Sequence, residues 1–211
     1  MKTVICSHGF GVGADSRGMF PEIAAAFPQF RFVMFDYNSF DEAGNATVSS
    51  LKKQADILNQ EIAQVPEPIT LLCHSQGCIV ASLAELDRVE KLIFLAPPDV
   101  LDIKHFKDIF ASREGSAFNT NGTSSIPRSD GTITYLGKDY LDSVAHIDVQ
   151  ALFKNVVARK PVTIVQAADD DIVGQTDFPA VVARIITIPG DHNFTGNARE
   201  GLIKTLKTLL D

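Results

Sequence analysis

The sequence predicts an α/β fold built on a mostly parallel sheet of about six strands, with helices on both faces. Short apolar runs rich in β-branched residues alternate with helical stretches along the 211 residues, as expected of strand–helix–strand units. The apolar runs are nearly continuous, which is typical of strands covered on both faces. Hydrophobic residues make up 45% of the chain and charged residues 21%. We therefore expect one globular domain over residues 1–211 that buries about 70% of its unfolded surface.

The strands and helices of this prediction follow from local patterns. The predicted strands are Thr3 to Cys6, Arg31 to Phe35, Ile69 to Cys73, Lys91 to Leu95, Val162 to Gln166 and Arg184 to Ile188. The predicted helices are Gly18 to Phe27, Val48 to Val65, Gln76 to Leu86 and Gly196 to Leu210. The second helix repeats apolar residues at helical spacing (Leu51, Ala55, Leu58, Ile62), and the last places its leucines on one side.

A long insertion interrupts this alternation between two strands. It covers residues 99–159, and its middle, Phe118 to Gly131, is rich in Asn, Thr, Ser and Gly, which predicts a loop. The segment from Ser129 to Tyr135 is expected to form a small strand or hairpin, and Tyr140 to Val144 a helical turn. Long segments of this kind in compact domains are usually either functional or disordered.

Charge and cysteine content exclude several classes of protein. Lys and Arg number 19 against 26 Asp and Glu, a formal net charge of −7, which argues against binding to nucleic acid or to an anionic membrane. The three cysteines lack zinc-site spacing and form no disulfide framework. No apolar run is long enough for a signal peptide or a membrane span. The expected location is therefore the cytoplasm, and the oligomeric state stays undetermined.

One strand-to-helix junction carries the residue types of a nucleophile. The third predicted strand is followed at once by His74, Ser75, Gln76 and Gly77, where a helix opens. A serine on such a sharp turn has its hydroxyl raised clear of the sheet, and a small residue such as Gly77 lets the two backbones approach. The Ser-x-Gly pattern alone also fits a serine that caps a helix. A serine becomes a nucleophile only when a base takes its proton and an acid orients that base.

Residues suited to both tasks follow later strands. Asp169, Asp170 and Asp171 come directly after the fifth predicted strand, and His192 follows the sixth. Asp99, beyond the fourth strand, is a further candidate acid. Because parallel sheets place their sites at the carboxyl ends of the strands, we expect these residues to approach Ser75. A glycine-rich loop after the first strand, residues 7–13, lies at the same edge and offers backbone N–H groups.

At these residues the sequence resembles the α/β-hydrolase family, over nearly the whole chain. The matching segments are His8-Gly9-Phe10 as oxyanion loop, Cys73 to Gly77 as nucleophile elbow, Ala167 to Val173 as acid loop and Gly190 to Phe194 as histidine loop. The order Ser, Asp, His is also the family's. Cys73 and Ala167 stand where the family has glycine. The resemblance implies a minimal α/β-hydrolase fold that lacks the family's two N-terminal strands.

The resemblance also implies the roles of individual residues. Ser75 would be the nucleophile, His192 the general base and acid, and Asp170, counted back from Val173, the orienting acid. Phe10 and Gln76 would donate backbone N–H groups to the oxyanion. The insertion resembles the lid of compact carboxylesterases, including the feruloyl or cinnamoyl type. The predicted substrate pocket comprises His8, Gly9, His74, Phe194 and, from the insertion, Tyr135.

The expected activity is hydrolysis of carboxylic esters with a short or aromatic acyl group, through an acyl-enzyme. Thioester or amide cleavage by the same triad stays open. No metal or organic cofactor is implied, and the expected partner is a small-molecule ester. An alternative of another class is a dinucleotide-binding oxidoreductase, because residues 9–14 satisfy G-x-G-x-x-A and Asp36 follows the next strand. A binding module without catalysis is the remaining alternative.

Overall fold

The computed structural model describes residues 1–174, 176–178 and 183–210, apart from the side chains of residues 105 and 109. Its strands are β1 (Thr3–Ser7), β2 (Arg31–Met34), β3 (Ser39–Phe40), β4 (Ala46–Val48), β5 (Ile69–His74), β6 (Val89–Leu95), β7 (Ser124–Pro127), β8 (Ile133–Leu136), β9 (Val162–Ala167) and β10 (Arg184–Ile188). Its helices are α1 (Met19–Ala26), α2 (Leu51–Gln64), α3 (Gln76–Leu83), α4 (Ile103–Ser112), α5 (Lys138–Val144), α6 (Val149–Arg159) and α7 (Asn197–Leu210). Within this described part, no helix has both the length and the apolar character needed to cross a membrane.

The main sheet contains the six strands that the sequence predicts. Their order is β10-β9-β6-β5-β1-β2, and every neighbouring pair is parallel. The predicted α/β fold with a mostly parallel six-stranded sheet is therefore confirmed. Because the strands run in one direction, the loops that follow β1, β5, β9 and β10 all leave the sheet at the same edge.

Helices cover both faces of this sheet. Successive residues of β1 alternate between the faces: Ile5 packs in the cluster that includes α2, α3 and α6, whereas Val4 and Cys6 pack in the cluster that includes α1 and α7. Every residue of β1 and β5 is buried, which explains why both strands are nearly continuous apolar runs in the sequence. Helix α2 begins at Leu51, later than predicted, because Ser50 caps it by accepting the Lys53 N–H.

A second, four-stranded sheet in the order β3-β4-β8-β7 lies beside the main one. The segment from Ser129 to Tyr135, predicted as a small strand or hairpin, holds the connecting turn and most of β8, and β8 pairs with β7 in an antiparallel hairpin. The prediction that Phe118 to Gly131 is a loop is wrong over β7, because residues 124–127 pair with β8. Strand β4, which precedes α2, pairs in parallel with β8. The small sheet thus joins the insertion to the N-terminal half of the chain.

The insertion over residues 99–159 holds more regular structure than the sequence analysis recognised. Helix α6 packs Phe153 and Val156 into the same cluster as the main sheet, so it covers the sheet rather than the site. Helix α4 was also not predicted, although Phe106 and Phe110 recur there at helical spacing and are buried. The insertion residues that reach the site described next lie between Arg113 and Ser129.

Candidate active site

The turn between β5 and α3 holds Ser75 in a strained backbone conformation. Its φ is 53° and its ψ is −126°, a combination that residues other than glycine rarely adopt. The Ser75 N–H donates to the carbonyl of Leu95 on β6, 2.9 Å away. The half-exposed serine therefore lies at the carboxyl edge of the sheet, in the strand–turn–helix context that the sequence predicts.

Gly77 makes this turn possible because α3 begins directly against the end of β1. A Cβ atom at Gly77 would lie 2.2 Å from the carbonyl oxygen of Ser7 and 2.7 Å from that of His8. Both neighbours are backbone, so no side-chain rotation could relieve the contact. The Ser7 hydroxyl in turn donates to the Gly77 carbonyl at 2.9 Å, which ties β1 to the first turn of α3.

Two glycine-to-alanine variants test this close contact. Gly77→Ala should lower the free energy of unfolding by about 3 kcal/mol or more, because strand and helix must separate. Gly201→Ala, on α7, is the matched control: its Cβ would meet no atom within 4 Å, and it should stabilise the protein by about 0.5–1 kcal/mol. Urea unfolding of both variants measures the difference, and equal stabilities would contradict the packing described.

Three side chains predicted from the sequence meet at this edge. His192 Nε2 lies 3.0 Å from Ser75 Oγ, and His192 Nδ1 lies 2.8 Å from Asp170 Oδ2. The side chains of His192 and Asp170 are only 7% and 2% exposed. With its Nδ1–H donated to the carboxylate, the imidazole presents Nε2 as an acceptor for the hydroxyl proton of Ser75.

The turn after β9 directs one of three consecutive aspartates at the histidine. Asp170 Oδ1 accepts the N–H groups of Ile172 and Val173, both at 2.9 Å, which leaves Oδ2 for His192. Burial raises the pKa of Asp170. The hydrogen bond and charge of His192, together with the two N–H groups, lower it by more, so the pKa of Asp170 lies below its ordinary value. Asp170 is thus held as a carboxylate.

The other candidate acids lie elsewhere. Asp169 and Asp171 are exposed, and Asp99 accepts the backbone N–H of Asp177 at 3.0 Å. Among the described residues, only the carboxylate of Asp170 bonds to the ring of His192.

The two predicted oxyanion donors flank Ser75. Phe10 lines the same cavity, and Gln76 is the first residue of α3. Within the described residues, neither backbone N–H donates to another backbone group. The side chain of Gln76 is held away from the cavity, because it donates to Gln54 Oε1 at 3.1 Å and accepts from the hydroxyl of Tyr140. Neither Gln54 nor Tyr140 stands out in the sequence as a site residue.

Ser75 opens into a cavity of about 260 Å³. Of the predicted pocket residues, Gly9 and His74 line it, together with His192. Residues of the insertion, among them Arg113 and Arg128, form the opposite wall. The cavity is therefore shared between the carboxyl edge of the sheet and the insertion.

Three predicted pocket residues lie outside this cavity. His8 is buried behind the loop, where its Nε2 accepts the Tyr37 N–H at 3.0 Å and burial lowers its pKa. Phe194 is wholly buried in the cluster that includes α1 and α7. Tyr135 on β8 does not line the cavity either: its neighbour Thr134 contacts the cavity residue Arg128, and successive residues of a strand point to opposite faces.

The sequence model of the alpha/beta hydrolase family matches residues 4–202. The chain belongs to the alpha/beta hydrolase family. No curated protein matches it significantly. Among solved structures, Est1E from Butyrivibrio proteoclasticus is 22% identical with a TM-score of 0.67, covering 99% of this chain and 86% of that one. The esterase domain of a Rhodothermus marinus protein is 17% identical with a TM-score of 0.66, covering 99% and 85%. A chain from the structural work on LipS and LipT, two metagenome-derived lipolytic enzymes, is 13% identical with a TM-score of 0.71, covering 98% of this chain and 92% of that one.

His74 of this hydrolase supports the position of His192. Its Nε2 donates to the backbone carbonyl of His192 at 2.9 Å, its Nδ1 accepts from the Ser16 hydroxyl at 3.1 Å, and the two imidazole rings lie 5.0 Å apart. Burial, and secondarily the charge of His192, lowers the pKa of His74 to about 3. His74 is therefore neutral at physiological pH, which suits its one donor and one acceptor contact.

The buried neutral His74 predicts a pH dependence of stability. Its folded pKa of about 3 lies below the unfolded value of about 6.5. The stability that neutral His74 contributes is therefore complete above pH ~6.5. It is lost as the pH falls from ~6.5 towards ~3, by at most about 1.4 kcal/mol per pH unit. His74→Gln should reduce that slope, whereas the exposed His146→Gln should keep it. Urea unfolding between pH 4 and pH 7 measures both, and equal slopes in the two variants would refute the assignment.

Arg199 on α7 is hydrogen-bonded to the loop that follows β10. Its guanidinium donates to the carbonyls of Phe194 at 3.1 Å and Asn193 at 2.9 Å, and it pairs with Glu22 on α1 at 3.1 Å. The sequence gives no sign of this role, because an arginine within a helix carries no local signal of the loop it supports. His74 and Arg199 thus brace the loop around His192 from two sides.

The glycine-rich loop does not have the geometry of a dinucleotide site. A phosphate-binding fingerprint requires a helix to begin directly at the glycines, whereas residues 8–18 are turns and α1 starts only at Met19. Asp36, the candidate ribose ligand, instead accepts the Ala14 N–H at 2.6 Å. Cys73, next to the site in sequence, is buried, and burial raises the pKa of its thiol, which keeps it protonated.

Proposed function

We propose that this protein is a serine hydrolase that cleaves carboxylic esters through an acyl-enzyme. The observation that carries the proposal is the continuous chain of contacts from Ser75 Oγ to His192 Nε2 at 3.0 Å and from His192 Nδ1 to Asp170 Oδ2 at 2.8 Å. Nucleophile, base and orienting acid are the three parts that serine catalysis requires. Membership of the alpha/beta hydrolase family supports the same reaction class.

The first half of the reaction forms a covalent bond to Ser75. Its oxygen attacks the ester carbonyl carbon while His192 Nε2 takes the hydroxyl proton. The negative charge on the carbonyl oxygen is stabilised by the backbone N–H groups of Phe10 and Gln76. His192 then gives its proton to the leaving alkoxide, so the alcohol departs and the acyl group stays on Ser75. Asp170 stabilises the imidazolium throughout.

The second half restores the free enzyme. A water molecule enters where the alcohol left, and His192 takes its proton as the oxygen attacks the acyl carbon. The oxyanion forms again at the same two N–H groups. Collapse returns the proton to Ser75 and releases the acid, so that one water is consumed for each ester bond. All these steps use only side chains and backbone groups at the carboxyl edge of the sheet.

The size of the site favours small acyl groups. A cavity of about 260 Å³ is below the ordinary range of about 300–1,000 Å³ for sites that hold drug-sized ligands. A short aliphatic or a single aromatic acyl group fits this volume better than a long lipid chain. Two of the similar structures are described as an esterase domain and as lipolytic enzymes, which supports an ester as the bond cleaved.

A panel of p-nitrophenyl esters from acetate to palmitate at pH 8 tests the proposal, with fluorophosphonate labelling of Ser75 in parallel. We expect turnover of short acyl chains that declines with chain length, and stoichiometric labelling at Ser75. Labelling without turnover of any ester would show that the triad serves another bond, and a thioester and an amide panel would follow. Neither labelling nor turnover would overturn the enzyme assignment and favour a non-catalytic binding module.

A further inference from the structure

Three arginines from separate parts of the chain line the cavity that contains Ser75. Arg17 lies in the loop before α1, Arg113 follows α4, and Arg128 lies in the turn between β7 and β8. The protein has a net charge of −7, so this cluster of positive charge is opposite in sign to the molecule as a whole. No residue that lines the cavity, among those described, is Asp or Glu.

These arginines differ from others that are paired. Arg88 forms an ion pair with Glu67 at 3.0 Å, and Arg199 forms one with Glu22 at 3.1 Å. In the described residues, none of the three cavity arginines has a carboxylate within ion-pair distance. Their charge is therefore available to a ligand.

Two carboxylates close to these arginines are already hydrogen-bonded to other groups. Asp15 and Asp130 line an adjoining cavity that shares Arg17 and Arg128. Asp15 accepts the N–H groups of Arg17 and Gly18, and Asp130 accepts the N–H and hydroxyl of Thr132. Both are thus used to shape turns, and neither neutralises the arginines by direct contact.

Arg128 is fixed in place rather than free in solvent. Its Nε donates to Thr134 Oγ1 at 2.7 Å, one terminal nitrogen lies 3.5 Å from the Phe10 carbonyl, and its guanidinium carbon is 5.3 Å from the centre of the Phe10 ring. Gly11, with φ of 61°, leaves room for the Arg128 guanidinium, because a Cβ atom at Gly11 would lie 2.3 Å from it. Such preorganisation lowers the entropy lost when a ligand binds.

The three positive charges affect one another. Burial, followed by the charges of Arg113 and Arg17, lowers the pKa of Arg128 to about 10, so it stays charged at neutral pH. Like charges held together are unfavourable until an anion binds between them. A planar guanidinium also matches the two oxygens of a carboxylate or phosphate.

We propose that the natural ester carries a carboxylate or phosphate group that Arg17, Arg113 and Arg128 bind while Ser75 attacks the ester bond. The inference rests on the proposed function of Ser75 and specifies its substrate class. The anionic group is unchanged in the reaction: water adds across the ester, and an acid and an alcohol leave. The arginines are substrate-binding residues. The anionic group that they bind lies on either the acyl or the alcohol part of the ester.

Two matched pairs of substrates distinguish these sides at constant ionic strength. On the acyl side, mono-p-nitrophenyl adipate is compared with p-nitrophenyl hexanoate. On the alcohol side, the butyryl ester of 7-hydroxycoumarin-3-carboxylate is compared with that of its neutral ethyl ester. We expect the wild type to have a higher kcat/KM for the anionic member of at least one pair. In Arg113→Gln the anionic-to-neutral ratio should fall by about 10- to 100-fold, and in Arg113→Glu it should fall further.

The controls separate charge from general damage. Arg31→Gln, at the amino end of β2 on the opposite edge of the sheet, should keep the wild-type ratio. Arg17→Gln should lower the ratio and Arg113→Lys should largely retain it. If the wild type hydrolyses both members of each pair through Ser75 but the ratio is the same in all variants, the anion site is refuted while the esterase proposal stands.

A binding measurement makes the inference independent of ester turnover. Adipate and inorganic phosphate are tested for their ability to slow fluorophosphonate labelling of Ser75, with 1,6-hexanediol as the neutral control. Protection by either anion that is lost in Arg113→Gln supports the site, even if no ester were cleaved, and the more effective anion shows which group it prefers. Where no ester is cleaved, absence of protection by both anions would overturn the inference.

Discussion

Replacing Ser75 by alanine is expected to lower kcat on the best p-nitrophenyl ester by about 10⁶-fold. The variant removes the atom that forms the acyl-enzyme, while His192 and Asp170 keep their contact. Ser75 is half-exposed at the carboxyl edge of the sheet, so the loss of one oxygen should leave the folded structure intact. Residual hydrolysis would come from substrate binding and the oxyanion N–H groups alone.

The control for this variant is Ser82→Ala on the same helix. The Ser82 hydroxyl donates to the Cys78 carbonyl within α3 and is remote from the cavity, so activity should stay near that of the wild type. Fluorophosphonate should label the Ser82 variant and not the Ser75 variant. If Ser75→Ala kept activity within tenfold of the wild type, another residue would have to be the nucleophile.

Asp170→Asn is expected to lower kcat by about 10⁴-fold. The side-chain carbonyl of the introduced asparagine would accept the N–H groups of Ile172 and Val173, as Asp170 Oδ1 does now. Its NH₂ group would then face His192 Nδ1 and force that nitrogen to accept. The imidazole proton would move to Nε2, which could no longer take the proton of Ser75. The variant thus tests the tautomer of His192 as well as the carboxylate.

Neighbouring substitutions show whether position or charge is responsible. Asp169→Asn and Asp171→Asn remove the same charge from exposed positions beside the site and should retain activity within a few-fold. Asp99→Asn should behave likewise, because Asp99 bonds to the backbone of Asp177. Steady-state kcat for all four variants gives the comparison. An inactive Asp99 variant beside an active Asp170 variant would show that the acid comes from the loop after β6.

The strands could be predicted because their signal is local. Strands of a parallel sheet covered by helices read as nearly continuous apolar runs, and all six such runs became strands of the main sheet, including the partly exposed edge strands β2 and β10. Ser75 and His192 followed from the same patterns, since each comes directly after such a strand. The small sheet could not be predicted, because β4 and β8 are far apart in the chain yet pair in space, and strands this short carry little signal of their own.

The pocket was predicted least well because its lining depends on which way side chains point. His8 and Phe194 stand next to residues of the site in the sequence, yet both turn into the protein interior. Arg113 and Arg128 carry no local sign of function, since each is an ordinary charged residue of the insertion. Gly77 shows the opposite case: a local Ser-x-Gly pattern identified it, and a close approach between β1 and α3 explains it.

Three features could be read from local sequence patterns: the α/β class, the order of the six strands along the chain, and the serine and histidine that follow two of them. These properties depend on hydrophobic periodicity and on what comes directly after a strand. The family resemblance favoured Asp170 among three consecutive aspartates by its spacing from Val173. The contact itself depends on the folded turn after β9, which directs the Asp170 carboxylate at His192. Only the tertiary structure decided the charge of the cavity, because Arg17, Arg113 and Arg128 are far apart in an acidic chain and meet only when the insertion folds over the sheet.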